Sequence, residues 1–333
     1  MNRIVVALGG NALARSGESP TVEAARAHIR ETLRPLVELL RRGHTLVLTH
    51  GNGPQVGALL VQQELAKREI PALPMDVVGA MTQGWIGYLL QQELASSLAR
   101  AHLPHAVVPL ITRTEVDRRD PAFQRPSKPV GPFYSENEAR LLRKSMGWAF
   151  QDDTARGGWR RIVPSPQPLH VLEADWLRQR LDDPQGGPWV PILSGGGGVP
   201  VIRAANGGWE GVEAVIDKDR SAALLAHRIG ASTLAIVTDV PAAMIDSQPS
   251  HPRPLSEVSA VQLRAFLEAG QFGEGSMRPK VEAALDFVER GGPSALITDI
   301  HSLHAALAGR AGTRVRRGKE KARRSSTRSR SSR

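Results

Sequence analysis

A chain of 333 residues, 41% of them apolar, can bury a full core, which excludes global disorder and fits one large α/β domain or two modest ones. It has no cysteine, so thiol nucleophiles, disulfides and thiolate metal sites are excluded and a cytoplasmic protein is expected. The formal charge of +10 belongs to one end: residues 316–333 carry nine Arg or Lys against one Glu, while the preceding 315 residues hold 34 basic and 32 acidic side chains.

In chain order, residues 3–8 read as a first strand that runs into Gly9-Gly10, too short an apolar stretch for a signal peptide. Helical periodicity follows over 21–42, where Pro35 predicts a kink or break. A strand at 45–49 precedes helices at 56–68 and 75–102, then a strand at 106–112. Residues 115–168 are rich in proline and charge and hold six of the chain's 14 aromatics, so an inserted, protruding subdomain with its own small core is expected there. Strands at 189–194, 233–237 and 294–298 then alternate with helices at 218–229, 256–269 and 277–290. This alternation predicts an α/β three-layer sandwich, a central mostly parallel sheet with helices on both faces, spanning residues 1–315. No apolar run is long enough to span a bilayer, and there is no internal repeat. Residues 316–333 are Arg, Ser and Lys without an apolar side chain larger than alanine, which predicts a disordered basic tail.

Three glycine-rich turns follow predicted strands: Gly9-Gly10-Asn11-Ala12, His50-Gly51-Asn52-Gly53-Pro54-Gln55-Val56-Gly57, and Ser194-Gly195-Gly196-Gly197-Gly198. In a parallel sheet, ligands bind beyond the carboxyl ends of the strands. Glycine lets backbone N–H groups approach an anion, and a helix start behind the loop adds partial positive charge. Any one turn alone reads better as a mere tight turn; three at the same end of their strands point to an anion site. No glycine-rich run ends in Gly-Lys-Ser/Thr, and the dinucleotide fingerprint fails at Val56.

Phosphoryl transfer asks for cations and in-line positioning rather than covalent help. Lys218 lies in Asp217-Lys218-Asp219 at a helix start, Lys280 follows Pro279 in the first turn of another helix, and Lys128 stands between proline-stiffened turns. Any one of these lysines in isolation reads as a solvated surface charge, and Asp217 and Asp219 read equally as helix caps. His301 and His304 are three apart on a short predicted helix with no evident acidic partner and read as surface residues rather than metal ligands.

These segments, with Ala80-Met81-Thr82-Gln83-Gly84, Lys128-Pro129-Val130-Gly131-Pro132-Phe133 and Gly211-Val212-Glu213-Ala214-Val215-Ile216-Asp217-Lys218-Asp219, resemble the carbamate kinases of the amino-acid-kinase superfamily, in family order over nearly the whole chain. The resemblance implies that Gly9, Gly10 and Asn11 cradle the phosphoryl group and that Gly51, Asn52 and Gly53 form the carbamate pocket, with Gly195 and Gly196 of the third turn joining them as anion-binding backbone. It implies that Lys218 and Lys280 neutralise the phosphates, that Asp219 orients them, and that Lys128 reaches the substrate from the protruding subdomain. Thr238, Asp239, Val240, Met244, Met277 and Pro279 are implied near the nucleotide. A homodimer that binds ATP or ADP with Mg²⁺, the metal having no direct protein ligand, is implied as well. The acceptor pocket is expected to offer hydrogen-bond donors and cations and no apolar slot for a longer acyl chain.

Two departures stand out. Pro241-Ala242-Ala243-Met244 replaces a run in which relatives often place an aromatic ring near the adenine, and the basic tail has no family counterpart. Two other readings stay open. One is another amino-acid kinase, such as an N-acetylglutamate kinase-like enzyme, although such enzymes usually carry a lysine where this chain has Ala7. The other is a protein that binds nucleic acid non-specifically through the tail.

Overall fold

A computed structural model of the chain describes residues 2–10, 21–154, 157–245, 252–273 and 277–318. The first half runs β1 (Arg3–Leu8), α1 (Val22–Arg41), β2 (Thr45–His50), α2 (Gly53–Ala66), α3 (Met75–Arg100), β3 (Ala106–Pro109), β4 (Arg113–Val116), β5 (Lys128–Tyr134), α4 (Glu136–Met146), β6 (Ala149–Asp153), β7 (Gly158–Val163) and β8 (Pro168–Val171). The second half runs α5 (Ala174–Asp182), β9 (Trp189–Ile192), β10 (Val199–Arg203), β11 (Trp209–Gly211), α6 (Lys218–Arg228), β12 (Thr233–Thr238), β13 (Met244–Ile245), β14 (Arg253–Pro254), β15 (Glu257–Ser259), α7 (Ala260–Glu268), α8 (Met277–Glu289), β16 (Ser294–Asp299), α9 (Leu303–Leu307) and β17 (Thr313–Arg316).

The main sheet has eight strands in the order β15-β17-β16-β12-β1-β2-β9-β3. Strands β16 through β3 are all parallel, and β17 is antiparallel to β16. Successive side chains of a strand point to opposite faces, and β1 shows what that does in a sheet covered on both sides. Ile4, Val6 and Leu8 pack into a core with Ile29, Leu33 and Leu36 of α1 and Ile86 and Leu90 of α3. Val5 and Ala7 pack into a second core with α6, α7 and α8. A strand buried on both faces reads as a continuous apolar run, as Ile4-Val5-Val6-Ala7-Leu8 does.

Helix α1 runs unbroken through Pro35. Proline removes the hydrogen bond to the carbonyl four residues back, but Leu33, Leu36, Val37 and Leu40 are buried on both sides of it and hold the helix to the core. The expected strand at 106–112 ends at Pro109, and the expected helix at 256–269 begins as strand β15 before Ser259 caps α7.

Within 115–168 lies a separate three-stranded sheet, β5-β7-β6, covered by α4, while the flanking β4 and β8 join β10 and β11 in a four-stranded sheet. Cation–π contacts hold much of the small unit: Arg143 lies 4.6 Å from the Trp159 ring centre and Arg161 lies 3.9 Å from that of Trp148. Tyr134 meets Phe150 edge-on at 5.3 Å. Phe123 belongs elsewhere, beside Val116, Ile202 and Ile216. The unit sits on the body through Val130 and Val163, which pack on Met75, and through Gly57, where a Cβ would stand 3.2 Å from Gly131 Cα. At the other end of the chain, β17 extends through Arg316, which pairs with Glu257, and residues 319–333 of the basic tail lie outside the described residues. Among the described residues no helix is long and apolar enough to cross a membrane.

Helix α3 approaches β3 closely at Gly87, where a Cβ would stand 2.8 Å from the Pro109 ring. Gly87→Ala is expected to lower stability by about 1–3 kcal/mol through overpacking, despite alanine's better helix propensity. Urea denaturation measures this, and an unchanged or raised midpoint would refute the contact.

Candidate active site

The described glycines of these turns lie at the carboxyl ends of the parallel strands β1, β2 and β9, with the ends of β12 and β16 beside them. The chain leaves β1 for β2 on one side and returns through β12 on the other, so the crevice opens at a switch in strand order. Gly9 is pressed against β12: a Cβ there would stand 2.9 Å from the Val237 carbonyl. The third turn interlocks with the second. Gly196 has φ +64°, and its Cβ would stand 2.0 Å from Asn52 Nδ2.

A buried polar shelf fixes these loops. Thr49 Oγ1 donates to the Ser194 carbonyl at 2.9 Å, and Thr112 Oγ1 accepts from the Ser194 N–H at 2.7 Å. Gln83 on α3 grips Thr112 three times, donating to its carbonyl at 3.0 Å and accepting from its N–H at 2.9 Å and from its hydroxyl at 3.1 Å. Asn52 Nδ2 donates to Thr82 Oγ1 at 2.9 Å. His50 is 1% exposed. Its Nδ1 lies 2.9 Å from the Gly51 carbonyl, which accepts, so the neutral ring carries its proton there. Burial pushes this imidazole down to about 4; the Gly51 hydrogen bond opposes the shift and the Lys218 charge adds to it.

The lysines converge at the first turn of α6. Asp217 caps that helix, accepting from the N–H groups of Asp219 at 2.9 Å and Arg220 at 3.4 Å. Its other oxygen accepts from Lys128 Nζ at 2.9 Å. Burial alone raises the Asp217 carboxyl, but the charge and hydrogen bond of Lys128, with Lys218 and the Asp219 N–H, overcome it and hold the group well below the usual carboxylate range. Asp219 is 3% exposed. It accepts from Lys218 Nζ at 2.5 Å and lies 3.7 Å from Lys280 Nζ.

Two clefts open here. The larger, about 450 Å³, lies over Thr238 and Asp239, with His28, Glu31 and Thr32 of α1 on its far wall. The smaller, about 290 Å³, lies over Gly51, Asn52 and Gly53 beneath Lys128. Gly10, Lys218 and Lys280 line both, so the clefts meet at a cationic seam. Such an arrangement suits two anionic ligands that exchange a group across the seam.

The structure thus brings together Lys128, Lys218, Asp219, Lys280, Gly9, Gly10, Gly51, Asn52, Gly53 and Gly196. Gly195 sits one step behind, where a Cβ would stand 2.4 Å from the His50 ring. Thr238 and Asp239 border the larger cleft and Pro279 the smaller one. Met244 pairs with Pro254 in the β13–β14 hairpin, Met277 packs against the second core, and Val240 is half-buried beyond Asp239; among the described residues these three line neither cleft. Asn11 lies outside the described residues.

Two expectations need correction. His301 is exposed, as expected, but has an acidic partner, Glu31 at 3.4 Å, and lines the larger cleft just ahead of α9. The smaller cleft does have an apolar wall, formed by Val130, Val215 and Ile216. The burial of His50, the contacts of the Thr82–Gln83 shelf and the second partner of Asp217 are features the sequence does not display directly. Of these, only the shelf had a local signal: two polar residues in the buried stripe of α3 that continues through Ile86 and Leu90.

Residues 2–299 match the profile of the Amino acid kinase family, and the chain belongs to that family. Carbamate kinases are among its relatives there. The carbamate kinase of Pyrococcus horikoshii is 45% identical over 315 residues, 94% of this chain and 98% of that protein. The carbamate kinase of Trichomonas vaginalis is 42% identical over 315 residues, 94% of this chain and 99% of that protein. Among solved structures, the carbamate kinase from Giardia lamblia bound to AMP-PNP superposes with a TM-score of 0.87 at 37% identity, covering 95% of this chain and 99% of that one.

The buried His50 makes a pH prediction. Its pKa falls from 6.5 to about 4 on folding, so the unfolded chain binds the proton more tightly and stability present above pH 6.5 is lost as pH falls toward 4. Between pH 7 and pH 4.5 this group contributes a loss of about 2–3 kcal/mol. His50→Gln should lack that share of the slope in urea titrations at the two pH values; identical slopes would mean that His50 does not stay neutral.

Proposed function

We propose that the chain catalyses reversible phosphoryl transfer between carbamoyl phosphate and ADP, yielding ATP and carbamate, which breaks down to ammonia and CO₂. The observation that carries this reading is the meeting of a small cleft and a larger one at a cationic seam of Gly10, Lys218 and Lys280. Carbamate is a small planar anion, so its grip must come from fixed donors and cations. The backbone of Gly51 and Gly53, the Asn52 loop and Lys128 are placed to supply them, and the apolar wall keeps the site dry enough for charges to act strongly. The nucleotide phosphates lie in the larger cleft against Lys218 and Lys280, which Asp219 aims at the seam. Carbamoyl phosphate is a mixed anhydride, so transfer to ADP runs downhill once the two anions are held in line.

Mg²⁺ is proposed to arrive on the nucleotide phosphates, as it usually keeps several waters and binds through phosphate. Asp219, the buried carboxylate at the seam, is already engaged by two lysines and so does not suit a metal. Ala242 and Ala243 are buried, so the adenine is gripped without a ring from that stretch. Ala7 is fully buried in β1; the cation that kinases of N-acylated amino acids carry there is supplied from the protruding unit by Lys128. We place the enzyme in the cytoplasm, making ATP in fermentative arginine breakdown. We also propose a homodimer: Val77, Met81 and Tyr88 are exposed along one face of α3 with Gly84 between them. Met81→Asp should shift the sedimenting species from dimer to monomer.

A coupled assay with carbamoyl phosphate, ADP and Mg²⁺ tests the reading directly. Lys218→Ala and Lys280→Ala should each lower turnover by ~10²-fold or more, and N-acetylglutamate, aspartate and glutamate should be negligible acceptors. Turnover within a few-fold of wild type in both variants would remove the lysines from the site, and a better rate with any of those acceptors would refute the substrate.

A further inference from the structure

Asp217 touches both halves of the machinery. Through Oδ1 it fixes the first turn of α6 and so the register of Lys218 and Asp219. Through Oδ2 it accepts from Lys128, on the first residue of β5 in the protruding sheet. A helix cap needs one oxygen, which serine or asparagine supplies as well. The second oxygen and the charge are what call for a carboxylate here.

The exposures define the task. The Lys128 side chain is 36% exposed and the Asp217 side chain 12%. A lysine ammonium rides on a flexible four-carbon stem with many rotamers, so a free Lys128 would spend most of its time away from the cleft. The protruding unit has its own seat on the body, through Val130 and Val163 on Met75 and through Arg161, 3.6 Å from Glu213. That seat is small and does not reach the ammonium group.

We propose that Asp217 is a positioning residue for the acceptor, holding the Lys128 ammonium group over the smaller cleft and tying it to the α6 turn that carries Lys218 and Asp219. The inference rests on the carbamoyl phosphate reading for its kinetic arm. Lys128 is held ready by a carboxylate that shares the cleft lining with it, so an incoming anion meets an ordered cation.

A double-mutant cycle with Asp217→Asn, which keeps a capping oxygen and loses the charge, and Lys128→Met tests it. KM for carbamoyl phosphate should rise ~10-fold in Asp217→Asn while KM for ADP stays within about twofold. In the Lys128→Met background the same change should add nothing, because the partner is already gone. Additive losses, an equal rise in both KM values, or wild-type kinetics in Asp217→Asn would each overturn the proposal and leave Asp217 a helix cap. Amide hydrogen exchange of β5 in the ligand-free protein gives a readout without turnover: it should quicken in Asp217→Asn, and unchanged exchange would overturn the tether. If the wild-type enzyme does not use carbamoyl phosphate, the substrate reading fails, and the exchange result still decides the role of Asp217.

Discussion

Three ammonium groups crowd around the first turn of α6, and their mutual repulsion is the constraint around which the rest is built. Two unit charges about 4 Å apart repel by about 4 kcal/mol at a protein surface, so Lys128, Lys218 and Lys280 cannot be gathered there unaided. Asp217 and Asp219 make it possible, Asp217 taking Lys128 and Asp219 taking Lys218 and Lys280 on its two oxygens. The dependence runs both ways. Asp219 is buried at 3% exposure, and a carboxylate that deep is tolerable only when paired. The balance left over, three cations to two anions, is what a pair of phosphorylated ligands needs. It sits at a helix start, where the backbone N–H groups add to the positive side.

The loops around this turn owe their precision to what lies behind them. Gly9, Gly196 and Gly197 sit where a Cβ would stand within 2.9 Å, 2.0 Å and 2.8 Å of neighbouring atoms, so each loop is shaped by the next. Behind them the Thr49, Thr112 and Gln83 shelf pairs the loop backbone with buried side chains. Donors aimed at a small anion are useful only if they do not relax away from it. A neutral His50 fits the same purpose: a charged imidazole behind the Gly51 loop would compete with the lysines in front of it.

The parallel core was legible because its strands are buried on both faces and read as unbroken apolar runs, and the glycine turns at their ends pointed to the crevice where the two clefts open. The second sheet was not, because Trp209–Gly211 is three residues long and half-exposed. Pro35 misled in the other direction: local chemistry argued for a break, and a stripe of buried leucines outweighed it. Lys218 and Lys280 could be named from helix starts and family resemblance. The partners of Lys128 and His301 could not, since Asp217 is 89 residues from the first and Glu31 is 270 residues from the second. Pairings at that separation are set by topology, which local pattern does not carry.

The division of labour follows from where each lysine is mounted. Lys218 and Lys280 stand on α6 and α8, which pack against each other and against the main sheet, so their geometry is as rigid as the core. Lys128 stands on a small sheet held largely by cation–π contacts and seated on the body by a few apolar side chains. On the proposed reading, the handling of phosphate, common to the whole reaction, is built into the most deeply packed part of the molecule. The recognition of the acceptor is delegated to a unit with a smaller seat. Such a division works only if the cation on that unit is held in one place. A second oxygen on the residue that starts α6 is an economical way to do that, because it measures the position of Lys128 from the same turn that carries the phosphate lysine.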